Sequence, residues 1–333
     1  WADLKRGEKV QPTTLFGLAS LSKPITALAT LHLVEQGKLQ LDTPVFPLLD
    51  HLKPPPGARV DPRLGKITVR HLLNHSGGWN RMVSGDPVNW SPLVSRALGV
   101  PQPVTDQQLI TYVMGLPLDF DPGTEIHYSN MGFIVLGELI ARVSGQPYEE
   151  YVRQHVLAPM GIRRAGLSRL GRGYLPGEAH CYLAGTGVEI PPLQLDMVEA
   201  AAGWSISPID MVRFLTALDG SRGKPFLARK TQELMLAPPP PPVKPRPDGT
   251  HAGLGWPTVF VSSRGFGYQQ DGRWHGMRTF MKRVPTGVNW VLAFNVNMQP
   301  DLIDNEVVAA AVAEVREMIE RFDKYPDVDL FEP

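Results

Sequence analysis

The chain has 333 residues, of which 43% are hydrophobic, and its 33 Lys+Arg are matched by 33 Asp+Glu. That is globular composition with a prior of about two domains, and it excludes wholesale disorder as well as an electrostatic footprint for nucleic acid or an anionic membrane. The single cysteine, Cys181, cannot close an internal disulfide or build a thiolate zinc cluster, and 33 prolines, roughly twice the usual share, predict long punctuated loops.

Residues 1–16 are polar around a Gly7 turn and end in a short strand, Thr14-Leu15-Phe16. A helix is expected from Ser22 to Gln36. Ser20 or Ser22 can cap it, Pro24 sits harmlessly in its first turn and Gly37 stops it. Its interior is apolar on nearly every side, which implies burial between layers. Residues 42–66 read as loop, Ile67 to Asn74 as a short helix ended by Gly77-Gly78, and residues 79–104 as loop again. Further helices are expected at Asp106–Met114, Met131–Ser144, Tyr148–Leu157, Asp210–Asp219 and Thr231–Leu236, and Pro238–Pro242 reads as extended polyproline. After residue 250 the period changes: Phe266–Gln270, Thr279–Val284 and Asn289–Asn295 read as an antiparallel meander. A final helix, Leu302–Phe322, carries the stripe Val308, Val312, Val315, Ile319 and Phe322.

The most apolar run, Met131 to Val143, is 13 residues long and holds Glu138 and Arg142, too short and too charged for a membrane span. The chain begins at Trp1 with no signal peptide, so the compartment is unreadable. Strands at the end and helices in the middle, without repeats, indicate an α+β fold rather than a parallel sheet.

Three short motifs carry the chemistry. In Ser20-Leu21-Ser22-Lys23, positions three apart on a helix share a face, so the lysine amine can activate the serine hydroxyl. A second Ser-x-x-Lys, Ser221 to Lys224, lies in a Gly-rich turn with no apolar helix after it, and context favours Ser20. In Tyr128-Ser129-Asn130 a phenol beside a lysine titrates jointly with it, and sharing one proton within a Ser–Lys–Tyr cluster is cheaper than neutralising Lys23 outright. Taken alone, the first two motifs read as well as a helix cap and a packed tyrosine. In Trp274-His275-Gly276-Met277 the glycine lets an acyl group lie against a strand, and the Met277 N–H can join the Ser20 N–H as an oxyanion hole.

In this order, Ser20-x-x-Lys23, Tyr128-x-Asn130 and Trp274-x-Gly276 resemble the three signatures of the serine β-lactamase-like superfamily. The phrases Leu15 to Lys23, Ile67 to Gly77 and Phe120 to Thr124 match as well, and the resemblance runs from Leu15 to about Ile319. The interval from Ser20 to Tyr128, 108 residues, is similar to class C β-lactamases, D-alanyl-D-amino-acid peptidases and family VIII carboxylesterases rather than class A β-lactamases. The resemblance implies a β-lactamase/transpeptidase-like fold, an antiparallel sheet flanked by helices with an inserted mainly helical domain. Residues 1–45 and 250–333 would form the sheet domain and 46–249 the insertion. It implies an acyl-Ser20 intermediate with Lys23 and Tyr128 as proton carriers, Asn130 orienting Lys23 and substrate, and Trp274, His275, Gly276 and Met277 bordering substrate and oxyanion.

Trp274 stands where the peptidases and lactamases carry a cation that grips the substrate carboxylate, and a Trp-x-Gly version is similar to the carboxylesterases. Arg273 and Arg278, or a register with His275 in that place, would restore a carboxylate site. The expected function is therefore carboxylic ester hydrolysis, with β-lactamase or D-amino-acid peptidase as the alternative and an inactive ligand-binding homologue as a third reading. The expected partner is a small-molecule ester or β-lactam, with no cofactor, metal, nucleic acid or transmembrane segment, and the oligomeric state is open. A strand hairpin is expected before Trp1, and the stretch from Gly276 to Thr279 is shorter than the family's Gly-rich turn.

Other residues give weaker signals. His71-x-x-x-His75 has metal spacing but no third ligand, which favours a structural turn. Cys181 reads as a loop thiol. Trp204, in Gly203-Trp204-Ser205, fits a pocket wall or the core equally. Trp79, Trp90 and Pro238–Pro242 fit an acyl pocket wall or surface padding, the latter preferred for the prolines.

Overall fold

The structure, a computed structural model, describes residues 1–168, 173–191, 196–221, 223–244, 246–297 and 303–321. Its centre is α1 (Ser22–Glu35), apolar all round because it is buried all round: Ile25, Ala27, Leu28, Ala29, Leu31 and Leu33 are fully inaccessible. Truncating one of these leucines to alanine costs about 2–5 kcal/mol. The polar residues of the same helix are satisfied internally. Thr30 Oγ1 donates to the Thr26 carbonyl at 2.9 Å, and Thr26 Oγ1 lies 2.6 Å from both the Ala200 carbonyl and the Tyr148 hydroxyl. No side chain caps α1. Ser22 Oγ instead accepts the Trp204 N–H at 3.1 Å, which ties the helix start to a neighbouring strand.

The expected helices form with small changes at their ends: α2 (Val69–Leu73), α4 (Asp106–Val113), α5 (Asn130–Ser144), α8 (Pro208–Asp219) and α9 (Arg229–Leu236). Reciprocal capping boxes open α2 (Thr68 with His71) and α4 (Thr105 with Gln108). The helix expected at Tyr148–Leu157 is split: α6 (Tyr148–Val152) continues as a π turn over Arg153–Leu157. A further helix, α3 (Ser91–Leu98), sits where the density of Pro, Gly and Trp suggested only loop. The four-residue α7 (Glu199–Ala202) wedges its alanines between α1 and α5.

The main sheet is the expected meander extended by one strand. β6 (Thr258–Ser262), β7 (Gly265–Trp274), β8 (Met277–Arg283) and β9 (Asn289–Phe294) are antiparallel in that order. Two small sheets lie beside it. One joins β1 (Phe16–Gly17), β5 (Trp204–Ile206) and β2 (Ala165–Leu167), and the other joins β10 (Val296–Asn297), β3 (Cys181–Leu183) and β4 (Glu189–Ile190). Strands β2 to β5 thus arise within the segment 46–249, otherwise mainly helical. The closing helix is α10 (Ile303–Arg321). Of its expected stripe, Val312 and Val315 are half-buried, whereas Val308, Ile319 and Phe322 lie outside the described side chains. No helix among the described residues is long and apolar enough to cross a membrane.

Candidate active site

Ser20 sits in a 3-10 turn, Ala19–Leu21, immediately before α1. Ala19, buried, is held at φ +47°, a left-handed conformation unusual for a residue with a Cβ. The turn is fastened from behind. Thr279 Oγ1, on β8, donates to the Leu18 carbonyl at 2.8 Å. Its cross-strand neighbour Gly272, on β7, lies so close that an added Cβ would come within 3.2 Å of the Ser20 nitrogen, having already collided with the Leu18 carbonyl. Only glycine fits there.

Lys23, the second residue of α1, is fully buried. Its Nζ donates to Ser20 Oγ at 3.1 Å, Asn130 Oδ1 at 2.7 Å and the Ala201 carbonyl at 2.9 Å. These acceptors favour the ammonium, but burial dominates and brings its pKa down to about 7; Asp86 and Asp271 oppose that shift and Arg81 adds to it. At neutral pH the amine is therefore divided between a donor to Ser20 and a base able to receive its proton.

Tyr128 closes the cluster, its ring centroid 4.9 Å from Lys23 Nζ. Burial drives its pKa upward, although the Ser20 and Gln270 side chains lie near enough to favour the ionised form; the hydroxyl itself makes no well-formed hydrogen bond among the described residues. From the sequence, Tyr128 and Lys23 are expected to titrate jointly, sharing one proton with Ser20. Burial favours the protonated phenol, against Ser20, Arg81 and Gln270, which favour the ionised form.

Asn130, the first residue of α5, does not cap its helix. Its Oδ1 faces Lys23 and its Nδ2 donates to Asp86 at 2.7 Å. The guanidinium of Arg81, on the same loop as Asp86, lies 5.1 Å from the Tyr128 ring centroid. Beneath Tyr128, His75 is buried at φ +63° with ring centroids 4.6 Å apart, and its Nδ1 accepts the Ser129 N–H at 3.2 Å. Burial brings the His75 pKa down to about 3, so the ring is neutral at physiological pH.

The third expected motif lies elsewhere. His275 and Gly276 form the tight turn between β7 and β8, Trp274 pairs with Met277 across it, and an added Cβ at Gly276 would strike the Cys181 side chain. The Met277 side chain is buried against Gly17. The strand glycine at Ser20 is Gly272, four residues earlier, so Gln270 takes the place of the motif's first residue. Gln270 is buried, and its Oε1 has no hydrogen-bond partner among the described residues. Trp274 shares the inward face of β7 with Gln270 and Gly272 and is half-buried. The Gly272-x-x-x-Gly276 spacing was the available signal, since this register removes the short stretch after Gly276.

The remaining sequence candidates settle into structural places. His71 belongs to the α2 capping box and Trp204 is core, its Nε1 donating to the Tyr148 hydroxyl at 2.9 Å. Cys181 is buried on β3 with its thiol pushed up to about 12, and the second Ser-x-x-Lys has both Ser221 and Lys224 exposed. Arg278, a candidate cation, is tied to Asp271 at 2.7 Å. Asp86, Arg81 and Gln270 were missed because they come from loops and a strand whose proximity is purely tertiary, and His75, singled out only for its spacing from His71, packs against Tyr128 instead.

The Beta-lactamase family model matches residues 1–316. The chain belongs to the Beta-lactamase family. Among curated members, Esterase EstB of Burkholderia gladioli is 33% identical over 199 residues, 57% of this chain and 49% of the esterase. The probable fimbrial assembly protein FimD, serogroup H1, of Dichelobacter nodosus is 31% identical over 179 residues, 54% of this chain and 41% of that protein. The chain thus spans about half the length of the curated relatives it matches. A penicillin-binding protein from Bacillus halodurans has the same fold, with a TM-score of 0.72 at 24% identity, covering 94% of this chain and 90% of its own.

Proposed function

We propose that this member of the family is a serine hydrolase acting on carboxylic esters through an acyl-Ser20 intermediate. The observation that carries the reading is Ser20 Oγ at 3.1 Å from a fully buried amine with a pKa near 7, a nucleophile beside a base matched to neutral pH. Neutral Lys23 takes the Ser20 proton as Oγ adds to the carbonyl. The oxyanion rests on the Ser20 N–H and the main chain of the β7 stretch at Gly272. Tyr128, still protonated, gives its proton to the leaving alkoxide, leaving phenolate beside ammonium. Water then adds to the acyl-enzyme, its proton passing to the phenolate, and Ser20 Oγ departs with the proton held on Lys23. Both residues return to their starting states.

An ester is favoured because Gln270, at the start of the third motif, is a neutral amide with no charge to grip a carboxylate, and because EstB is named an esterase. One observation favours the second reading, a β-lactam or D-amino-acid peptide. The Arg81 guanidinium over Tyr128 puts a cation at the site from another element. Mass spectrometry after a fluorophosphonate should find one adduct, at Ser20, absent in Ser20→Ala. Short p-nitrophenyl esters should turn over faster than a chromogenic cephalosporin. An unlabelled Ser20 would overturn the hydrolase reading, and preferential cephalosporin turnover would move the substrate to the second.

A further inference from the structure

A lysine ammonium can only donate and an ionised carboxylate can only accept, so the amide between them has one allowed orientation while the lysine is protonated. Asn130 is that amide: Oδ1 receives Lys23 Nζ at 2.7 Å, and Nδ2 donates to Asp86 Oδ2 at 2.7 Å. Asp86 comes from the loop between Trp79 and Trp90, far in sequence from the three motifs. Building on the hydrolase reading, we infer that Asp86 is a positioning residue for acyl transfer, locking Asn130 toward Lys23 and setting a carboxylate charge behind the amine.

Flipping Asn130 would turn its NH2 toward the Lys23 amine and its oxygen toward the Asp86 carboxylate, losing both bonds at once. With Asp86 in place the amine cannot drift from Ser20 without breaking the chain. The charges facing Lys23 show why the carboxylate matters. Asp86 and Asp271 favour the ammonium, while Arg81 and burial oppose it; Asp271, from β7, is already committed to Arg278, and Tyr128 and His75 are neutral. Asp86 therefore offsets Arg81, which comes from the same loop. One loop thus carries both a charge that favours the Lys23 ammonium and a charge that joins burial in opposing it.

Two variants separate charge from geometry. Asp86→Asn keeps an acceptor for Asn130 and removes the charge, whereas Asp86→Ala removes both. On the full chain, 13C-lysine NMR, with Lys23→Met identifying the resonance, should show the Lys23 titration falling by about 1 pH unit in Asp86→Asn. The acid limb of the pH profile for fluorophosphonate labelling of Ser20 should move down with it. Asp86→Ala should shift the limb similarly and lose a further factor of about ten at the pH plateau. Asp86 Oδ1 also accepts the Val88 N–H at 3.4 Å, so a merely structural role predicts slower labelling in proportion to melting, with no shift of the limb. Unmoved Lys23 titration in both variants overturns the inference. A moved titration without any Ser20 labelling in the wild type would leave the Asp86 coupling standing and refute the hydrolase reading alone.

Discussion

Lys23→Met tests the electrostatic basis of the site without reference to any substrate. The native amine has a pKa of about 7 against its ordinary 10.5, so between those values the unfolded chain binds the proton that the folded chain releases. Stability rises with pH wherever the unfolded state holds more protons, so the penalty for burying the cation is complete below about pH 7 and disappears as pH climbs through 10.5. At about 1.4 kcal/mol per pH unit, the ceiling on this term is about 5 kcal/mol. Methionine has nearly the same shape and no charge, but it leaves Asn130 Oδ1 and the Ala201 carbonyl without their donor, a cost of about 1–3 kcal/mol each. At pH 7 these terms nearly cancel, so the variant should fold with stability close to the wild type while losing all Ser20 labelling. At pH 10 the wild type should be the more stable by several kcal/mol. Urea unfolding at pH 7, 8, 9 and 10 reads the difference directly, and the buried phenols, common to both proteins, drop out of it. A wild-type minus variant difference that stays flat across this range would refute the depressed lysine and, with it, the neutral base in the mechanism.

Other consequences are local. The pH profile of Ser20 labelling should rise through about pH 7 as Lys23 loses its proton; a profile that falls there contradicts a neutral base. Gly272→Ala pushes a Cβ into the Leu18 carbonyl and toward the Ser20 nitrogen, and should cut labelling by at least about a hundredfold, the scale of a damaged oxyanion site, whereas Trp274→Phe should change it less than about tenfold. The reverse order would restore Trp274-x-Gly276 as the motif at the serine. His75→Asn tolerates the left-handed backbone but removes the ring under Tyr128, and should cost about 2–4 kcal/mol by thermal melting at pH 7. Because His75 must stay neutral down to about pH 3, folding of the wild type weakens as pH falls from 6.5 toward 3, and the variant should show a shallower acid transition. Thr279→Val removes the donor to the Leu18 carbonyl and should cost about 1–3 kcal/mol by urea titration.

What was legible in the sequence followed physical locality. Ser20 and Lys23 are three residues apart on one helical turn, so their spacing alone predicts contact, and α1 announced its burial by being apolar on every side. The meander was readable because its strands are bounded by turn residues. Thr14-Leu15-Phe16 marked the approach to β1, but a three-residue strand such as β5 carries too short a pattern to register, although its Trp204 carbonyl accepts the Leu18 N–H at 2.8 Å just before the Ser20 turn. The third motif was misplaced by four residues because Trp274-x-Gly276 and Gln270-x-Gly272 are equally good local strings. Only the approach of Gly272 to the Ser20 nitrogen separates them. Asp86 and Arg81 had no local signature, since a charged residue in a Pro- and Gly-rich loop reads as solvated until the fold brings it against Asn130 or Tyr128.

That same distinction explains how the site holds uncompensated polarity without unfolding. His75 Nε2, Tyr128 Oη and Gln270 Oε1 are buried without a hydrogen-bond partner among the described residues, and the residues that bear them gather around Ser20. Each such atom costs folding energy, so their concentration at one place is expensive unless it serves binding. The surrounding elements carry the expense. The α1 leucines, the Thr26–Tyr148–Trp204 hydrogen bonds and the Thr279 anchor all lie behind or beneath the site and are fully satisfied. A donor or acceptor held rigidly and left unpaired is ready to meet charge that develops on a bound acyl group, and it need not reorganise to do so. In this reading the unpaired atoms near Ser20 are held in place by the satisfied packing around them. Lys23→Met, which removes the buried amine and leaves the surrounding packing in place, should abolish acyl transfer and leave the fold intact.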